Sequence, residues 1–191
     1  IQVLRVHNRY KLEQVAVYRS NTVNIDDFVQ ICIGVSDYYN QAEMMVENND
    51  VGALVWEKLW YYFECERIVN CDKKGLGIRS TKKTKFEGNM LLQRYIENGW
   101  LTINDERTLY EFSRYEEKSP NVYHAAGQNE HDDCVTSLLW AAYYVTTPFF
   151  DDEDTGRMKN KEKEDFDNYM PTFMSDGDDN GDWDFLHKNR F

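Results

Sequence analysis

A mixed α/β fold is predicted for this 191-residue chain on three observations. Short apolar segments rich in β-branched residues alternate with stretches of 3.6-residue periodicity, so strands and helices follow one another. Two pairs of strand-like segments are joined by short polar turns, which makes them antiparallel hairpins and the sheet mixed. Hydrophobic residues are 41% and aromatics 15% of the chain, enough for the core of one domain of this length.

In order, residues 1–6 and 12–18 flank the polar turn Asn8, Arg9, Tyr10 and Lys11 and read as the first hairpin. Asn24 stands as an N-cap, with Asp26 and Asp27 in the first turn of a helix through Tyr39. Its predicted apolar face is Phe28, Ile31, Cys32, Val35 and Tyr39. Residues 42–46 are a short strand ending in Glu47, Asn48, Asn49 and Asp50. A second helix, capped by Asn49 or Asp50, places Val51, Leu54, Val55, Leu59 and Tyr62 on one face. Residues 68–71 form another short strand before a basic loop containing Gly75 and Gly77. Thr84 and Glu87 have the spacing of a capping box, opening a helix through Met90, Leu91, Tyr95 and Ile96 that stops at Gly99. Then follow a strand over 100–103, a helix over 105–112 and a second hairpin over 114–118 and 122–125. The last helix buries Val135, Leu138, Leu139 and Ala142 and opens on the pair Asp132 and Asp133.

Residues 1–147 form the predicted domain, and 148–191 an acidic C-terminal tail. From residue 151 onward the chain holds 13 acids and 6 bases, with aromatics such as Phe166, Tyr169, Phe173 and Trp183 scattered among them. That composition predicts weak structure, with the aromatics docking on the domain or on a partner. The longest apolar run, residues 138–145, is too short to cross a bilayer, and no signal peptide precedes it. Cys32, Cys65, Cys71 and Cys134 lack the spacing of a zinc knuckle or redox pair and read as reduced, mostly buried thiols. The chain starts with Ile1 directly inside a strand pattern, as a piece of something longer does.

The net charge of −12 argues against nucleic acid as a partner, but its distribution does not. Residues 73–85 carry Lys73, Lys74, Arg79, Lys82, Lys83 and Lys85 with no acid among them. Such a segment suits a phosphate backbone, although a solvated loop has the same composition. Two acidic positions have matching settings. Asp132 and Asp133 stand at the start of a core helix, where a carboxylate also serves as an N-cap. Glu47 ends an apolar strand just before a helix, the place where functional groups gather in open α/β sheets, and equally a place for a polar turn. Brought together, these acids would share Mg²⁺ or Mn²⁺, and two such ions can drive phosphodiester cleavage. His131 either assists there or bonds to a backbone carbonyl at the helix start.

The order of these features resembles a known family. Val46, Glu47 and Asn48, then Ser80 to Lys85 opening a helix, then His131, Asp132, Asp133, Cys134 and Val135 opening another, resemble the nuclease domain of the large terminase subunit of tailed bacteriophages. The Lys11, Leu12, Glu13, Gln14 and Val15 strand and the following Ser20, Asn21 and Thr22 extend the likeness over roughly residues 1–147. The resemblance implies an RNase H-like mixed sheet flanked by helices and a metal-dependent endonuclease that cuts concatemeric double-stranded viral DNA during head filling. It implies Glu47 and Asp133 as catalytic acids and metal ligands, with Asp132 as a further ligand; helical spacing alone leaves Asp132 and Asp133 open and sets Asp132 nearer the buried face. It makes Arg79, Lys82, Lys83 and Lys85 candidates for DNA contacts, in a viral protein acting at the prohead portal in the host cell cytoplasm. Its partners would be DNA, the portal protein, the small terminase subunit and an upstream ATPase domain.

One departure matters. The family carries a first catalytic Asp on a central strand ahead of the hairpin, and here no acid precedes Glu13. Two ions are expected in an intact site, and at most one weakly held ion here, in a fragment expected to be inactive. Two other readings compete: another RNase H-like nuclease of the junction-resolvase or transposase type, and a non-catalytic interaction module with an acidic tail.

Overall fold

The computed structural model describes residues 1–71, 77–119, 122–127, 131–150 and 182–185. Among them the fold is mixed α/β, with five α-helices and two small sheets and no closed barrel. The chain divides into two compact units.

The first unit comprises Ile1–Arg19, Thr81–Phe150 and Asp182–Phe191. Strands β1 (Gln2–Asn8) and β2 (Lys11–Arg19) form the predicted hairpin, its turn held by the Tyr10 amide donating to Asn8 Oδ1 at 2.8 Å. A two-residue strand β3 (Leu101–Thr102) joins β2 in parallel at Leu12 and Glu13. Helix α3 (Lys82–Glu97) precedes it and ends at Gly99, whose φ of 66° is the left-handed turn that glycine adopts without a Cβ penalty. Its cap differs from expectation. Thr81, not Thr84, is the N-cap, and the box closes between the side chains and amides of Thr81 and Thr84. A threonine hydroxyl both donates and accepts, so Thr84 fills the role expected of Glu87 one turn earlier.

Helix α4 (Glu106–Ser113), hairpin β4 (Tyr115–Ser119) and β5 (Val122–Ala125), and helix α5 (Asp133–Tyr144) complete this part of the unit. Leu12, Tyr95, Ala142, Val145 and Phe150 form one buried cluster, so the core reaches past residue 147. Phe150 is locked there because Arg9 donates to its carbonyl at 2.8 Å and lies over its ring. Strand β6 (Asp182–Phe185), from the segment expected to be a weakly structured tail, pairs antiparallel with Ala16–Arg19 of β2. Residues 151–181 and 186–191 lie outside the described set.

The second unit comprises Ser20–Ser80 and Asp151–Gly181. Helix α1 (Ile25–Tyr38) starts as predicted, with Asn24 Oδ1 accepting from the Asp27 amide at 2.9 Å. Helix α2 (Asp50–Glu57) runs into a π-helical turn over Lys58–Tyr62. The wider turn carries Tyr62, its last residue, off the α-helical stripe, whereas Val51 and Leu54 lie ahead of it. Val55 and Leu59 are buried with Val29, Cys65 and Ile68, whereas Val51, Leu54 and Tyr62 of the predicted face are exposed. The strands expected at 42–46 and 68–71 appear only as isolated parallel bridges, Met44 to Ile68, Glu47 to Ile78 and Asn70 to Gly77. Among the described residues the four cysteines form no disulfide, and no helix is long and apolar enough to cross a membrane.

Candidate functional site

The start of α5 gathers the densest set of candidate groups. Asp132 occupies the N-cap position yet makes no capping hydrogen bond with its side chain. Its carboxylate instead stands 3.8 Å from Nδ1 of His124 on β5. Asp133 lies in the first turn with its side chain 88% exposed, 3.8 Å from Nδ1 of His131, whereas the Asp132 side chain is 23% exposed. Asp132 is thus the more buried of the pair, as helical spacing alone suggested. Tyr115 on β4 stacks on Tyr123 and donates to Asn89 Oδ1 at 2.9 Å. Burial first, and the nearby Asp132 charge among the lesser causes, push the Tyr115 phenol up to about 12, so it stays a neutral donor at physiological pH.

One amide left open at the helix start, that of Cys134, is taken by a residue the sequence did not single out. Glu111 of α4, itself buried, accepts from the Cys134 amide through Oε2 at 2.7 Å. Gln2 of β1 donates to the Cys134 carbonyl at 3.2 Å, so both sides of this residue's backbone are held. Burial, followed by the Glu111 carboxylate, raises the Cys134 thiol above its ordinary pKa, which keeps it protonated and unreactive.

These contacts belong to a buried polar network between sheet and helices. Gln14 of β2, wholly buried, accepts from the Asn104 and Asp105 amides at 2.9 Å each and donates to Thr108 Oγ1 at 3.1 Å. Asp105 caps α4, accepting from the Thr108 amide at 2.7 Å, and binds Arg19 through two bonds of 2.8 and 3.2 Å. Helix α4 therefore turns its polar side inward: Thr108 and Glu111 are buried while Leu109 and Tyr110 are exposed. The helix itself was expected over 105–112, but apolar periodicity does not reveal that its inward face is polar. The available signal was the i, i+3, i+6 spacing of Asp105, Thr108 and Glu111.

Glu47 belongs to the second unit and sits where the chain is most tightly cradled. The Ile78 amide donates to the Val46 carbonyl at 2.9 Å, and the Asn48 amide donates to the Ile78 carbonyl at 2.7 Å. Trp56 Nε1 donates to Asn48 Oδ1 at 2.6 Å, pinning the next residue. Two glycines permit this approach. A Cβ at Gly52 would overlap the Glu47 carbonyl oxygen, and one at Gly77, at φ 75°, would overlap the Val46 carbonyl oxygen. Gly52 inside a helix, where glycine costs about 1 kcal/mol against alanine, was the overlooked sign that backbone must pass close by.

Lys82, Lys83 and Lys85 fall in the first turn of α3, which contains no acid. Lys82 and Lys83 are exposed and Lys85 half-buried; Lys83 lies 3.8 Å from Glu87. Arg79, in the second unit, is exposed, and Lys73 and Lys74 lie outside the described residues.

Carboxylate oxygens of Glu47, Asp132 and Asp133 are the hard donors that Mg²⁺ or Mn²⁺ prefers. Among the described residues, no three His, Cys, Asp or Glu side chains form a group that could hold a metal ion. At the start of α5 the structure sets Asp132 beside His124 and Asp133 beside His131 as two separate pairs, and Glu47 belongs to the second unit. No protein-family model matches the chain.

Proposed function

We propose that the chain is a metal-dependent endodeoxyribonuclease domain of RNase H-like type, from the DNA-packaging terminase of a tailed bacteriophage. The observation that carries this reading is the ordered set Val46-Glu47-Asn48, Ser80 to Lys85, and His131-Asp132-Asp133, each at the opening of a helix. Support comes from the rigid mounting of Asp132 and Asp133 on a core helix, and from the glycine-cradled backbone at Glu47. The lysine-bearing start of α3 adds to it: three cations at the positive end of a helix repel one another and the helix dipole, and a phosphate relieves both.

In this reading Glu47, Asp133 and Asp132 hold Mg²⁺ or Mn²⁺, which when bound supplies the charge that activates water and steadies a leaving oxygen. Lys82, Lys83, Lys85 and Arg79 hold the DNA backbone without reading its sequence. The portal protein, the small terminase subunit and an ATPase domain are the expected partners. The test is Mn²⁺-dependent nicking of supercoiled plasmid by the chain and its Glu47→Ala and Asp133→Ala variants. Nicking abolished by either substitution supports the assignment, and robust cleavage that survives both overturns it. A non-catalytic module would show no Mg²⁺ or Mn²⁺ binding by calorimetry.

A further inference from the structure

Helix α5 opens in an unusual division of labour. An aspartate at the N-cap ordinarily accepts from an amide of the first turn. Asp132 holds that position and makes no such bond. The Cys134 amide, two residues into the helix and within an N-cap aspartate's usual reach, is bonded instead to Glu111 of α4 at 2.7 Å. Glu111 arrives buried and fixed: its helix is anchored by Asp105, which binds Arg19 and caps Thr108, and by Gln14, which bonds Thr108. Asp132 therefore points elsewhere, half-buried and facing His124 at 3.8 Å.

We infer that Glu111 is a positioning residue for the acid pair: it caps α5 in Asp132's stead and so presents the Asp132 carboxylate for divalent-cation binding. This rests on the nuclease reading for the cation, though not for the capping. Burial makes the exchange effective. A carboxylate held away from water by α4 keeps the Cys134 amide satisfied continuously, so that amide does not call on Asp132 as its acceptor. It also singles out Asp132 as the inward carboxylate of the pair, with Asp133 directed to solvent.

Two measurements test it. The first is a double-mutant cycle in urea unfolding, which needs no metal. Asp132→Ala should change the unfolding constant by at most about twofold in the native background. In the Glu111→Ala background, where Asp132 takes up the cap, it should change it by about fivefold, the worth of an N-cap. Additive effects overturn the inference. Should Glu111→Ala fail to fold, Glu111→Gln paired with Glu111→Leu gives the same contrast, since only the amide can still accept from Cys134.

The second is Mn²⁺-induced broadening of the backbone amide signals of residues 131–134. Broadening that persists in Glu111→Gln and is lost in Glu111→Ala and Asp132→Asn supports the positioning role. Broadening lost in Asp133→Asn but kept in Asp132→Asn and Glu111→Ala overturns it while leaving the nuclease reading intact. Absence of broadening in every variant, the unsubstituted chain included, overturns both the cation role given to Asp132 and the metal site, and leaves the capping to the cycle.

Discussion

Asp105 shows at the scale of one residue how this chain uses its polar groups. Burial alone would raise its pKa, but hydrogen bonds from Arg19 and Thr108 outweigh burial and hold the carboxyl below its ordinary value. A depressed carboxyl contributes stability that is complete above the unfolded pKa of about 4 and is lost as pH falls through the folded value. Asp105→Asn should therefore destabilise the fold by about 2 kcal/mol at pH 7, the worth of a charge-assisted bond. The deficit relative to the unsubstituted chain should shrink below about pH 4, as the native carboxyl also loses its charge. Urea unfolding at pH 7 and again at the lowest pH where the fold persists checks both the size and the sign. Equal deficits at the two values would mean the Arg19 pair contributes nothing through charge.

Among the elements, α3 and α5 meet more closely than their sequences announce. Gly88 of α3 is buried, and a Cβ there would overlap the Leu139 side chain. In an isolated helix Gly→Ala stabilises by about 1 kcal/mol. Here overpacking costs about 1–3 kcal/mol, so Gly88→Ala should lower the melting temperature on balance. Adding Leu139→Val should recover part of the loss, and a thermal melt of the pair measures that coupling. A rise in melting temperature for Gly88→Ala alone would show the helices free to separate. The same scale explains where periodicity succeeded. Val135, Leu138, Leu139 and Ala142 are buried as their spacing required, because α5 packs one apolar face against an apolar neighbour. Helix α4 was expected over 105–112, but the face it buries escaped the same reasoning because that face is Thr108 and Glu111.

For the molecule as a whole, charge placement makes the strongest statement. A net charge of −12 should repel DNA, and only local concentration of bases can reverse that over a Debye length of about 8–10 Å. In gel-shift or anisotropy titrations, affinity should fall steeply with salt. Reversal of Lys82, Lys83 and Lys85 to Glu should reduce the log–log slope by about 0.9 for each phosphate left without its cation. An unchanged slope would remove these lysines from the interface. The helix-start position of all three was readable from Thr81 to Lys85, although the cap itself lay one turn earlier than the Thr84 and Glu87 spacing suggested. Strand β6 was not readable. Its four residues, Asp182–Phe185, alternate acid and aromatic within an acidic stretch, and only the open edge of β2 gives them a partner.

By itself the sequence determined what nearest neighbours along the chain control: the first hairpin, the Asn24 cap, the stop at Gly99, the buried stripe of α5 and the ordered acids and lysines. These follow from side-chain period, capping chemistry and φ preference, all of which act within a few residues. Tertiary structure decided which residue caps α5 and which glycines make room at Glu47. Each of those depends on a group farther along the chain than one helical turn, and a hydrogen bond or a missing Cβ has physical meaning only once folding has brought its partner within reach.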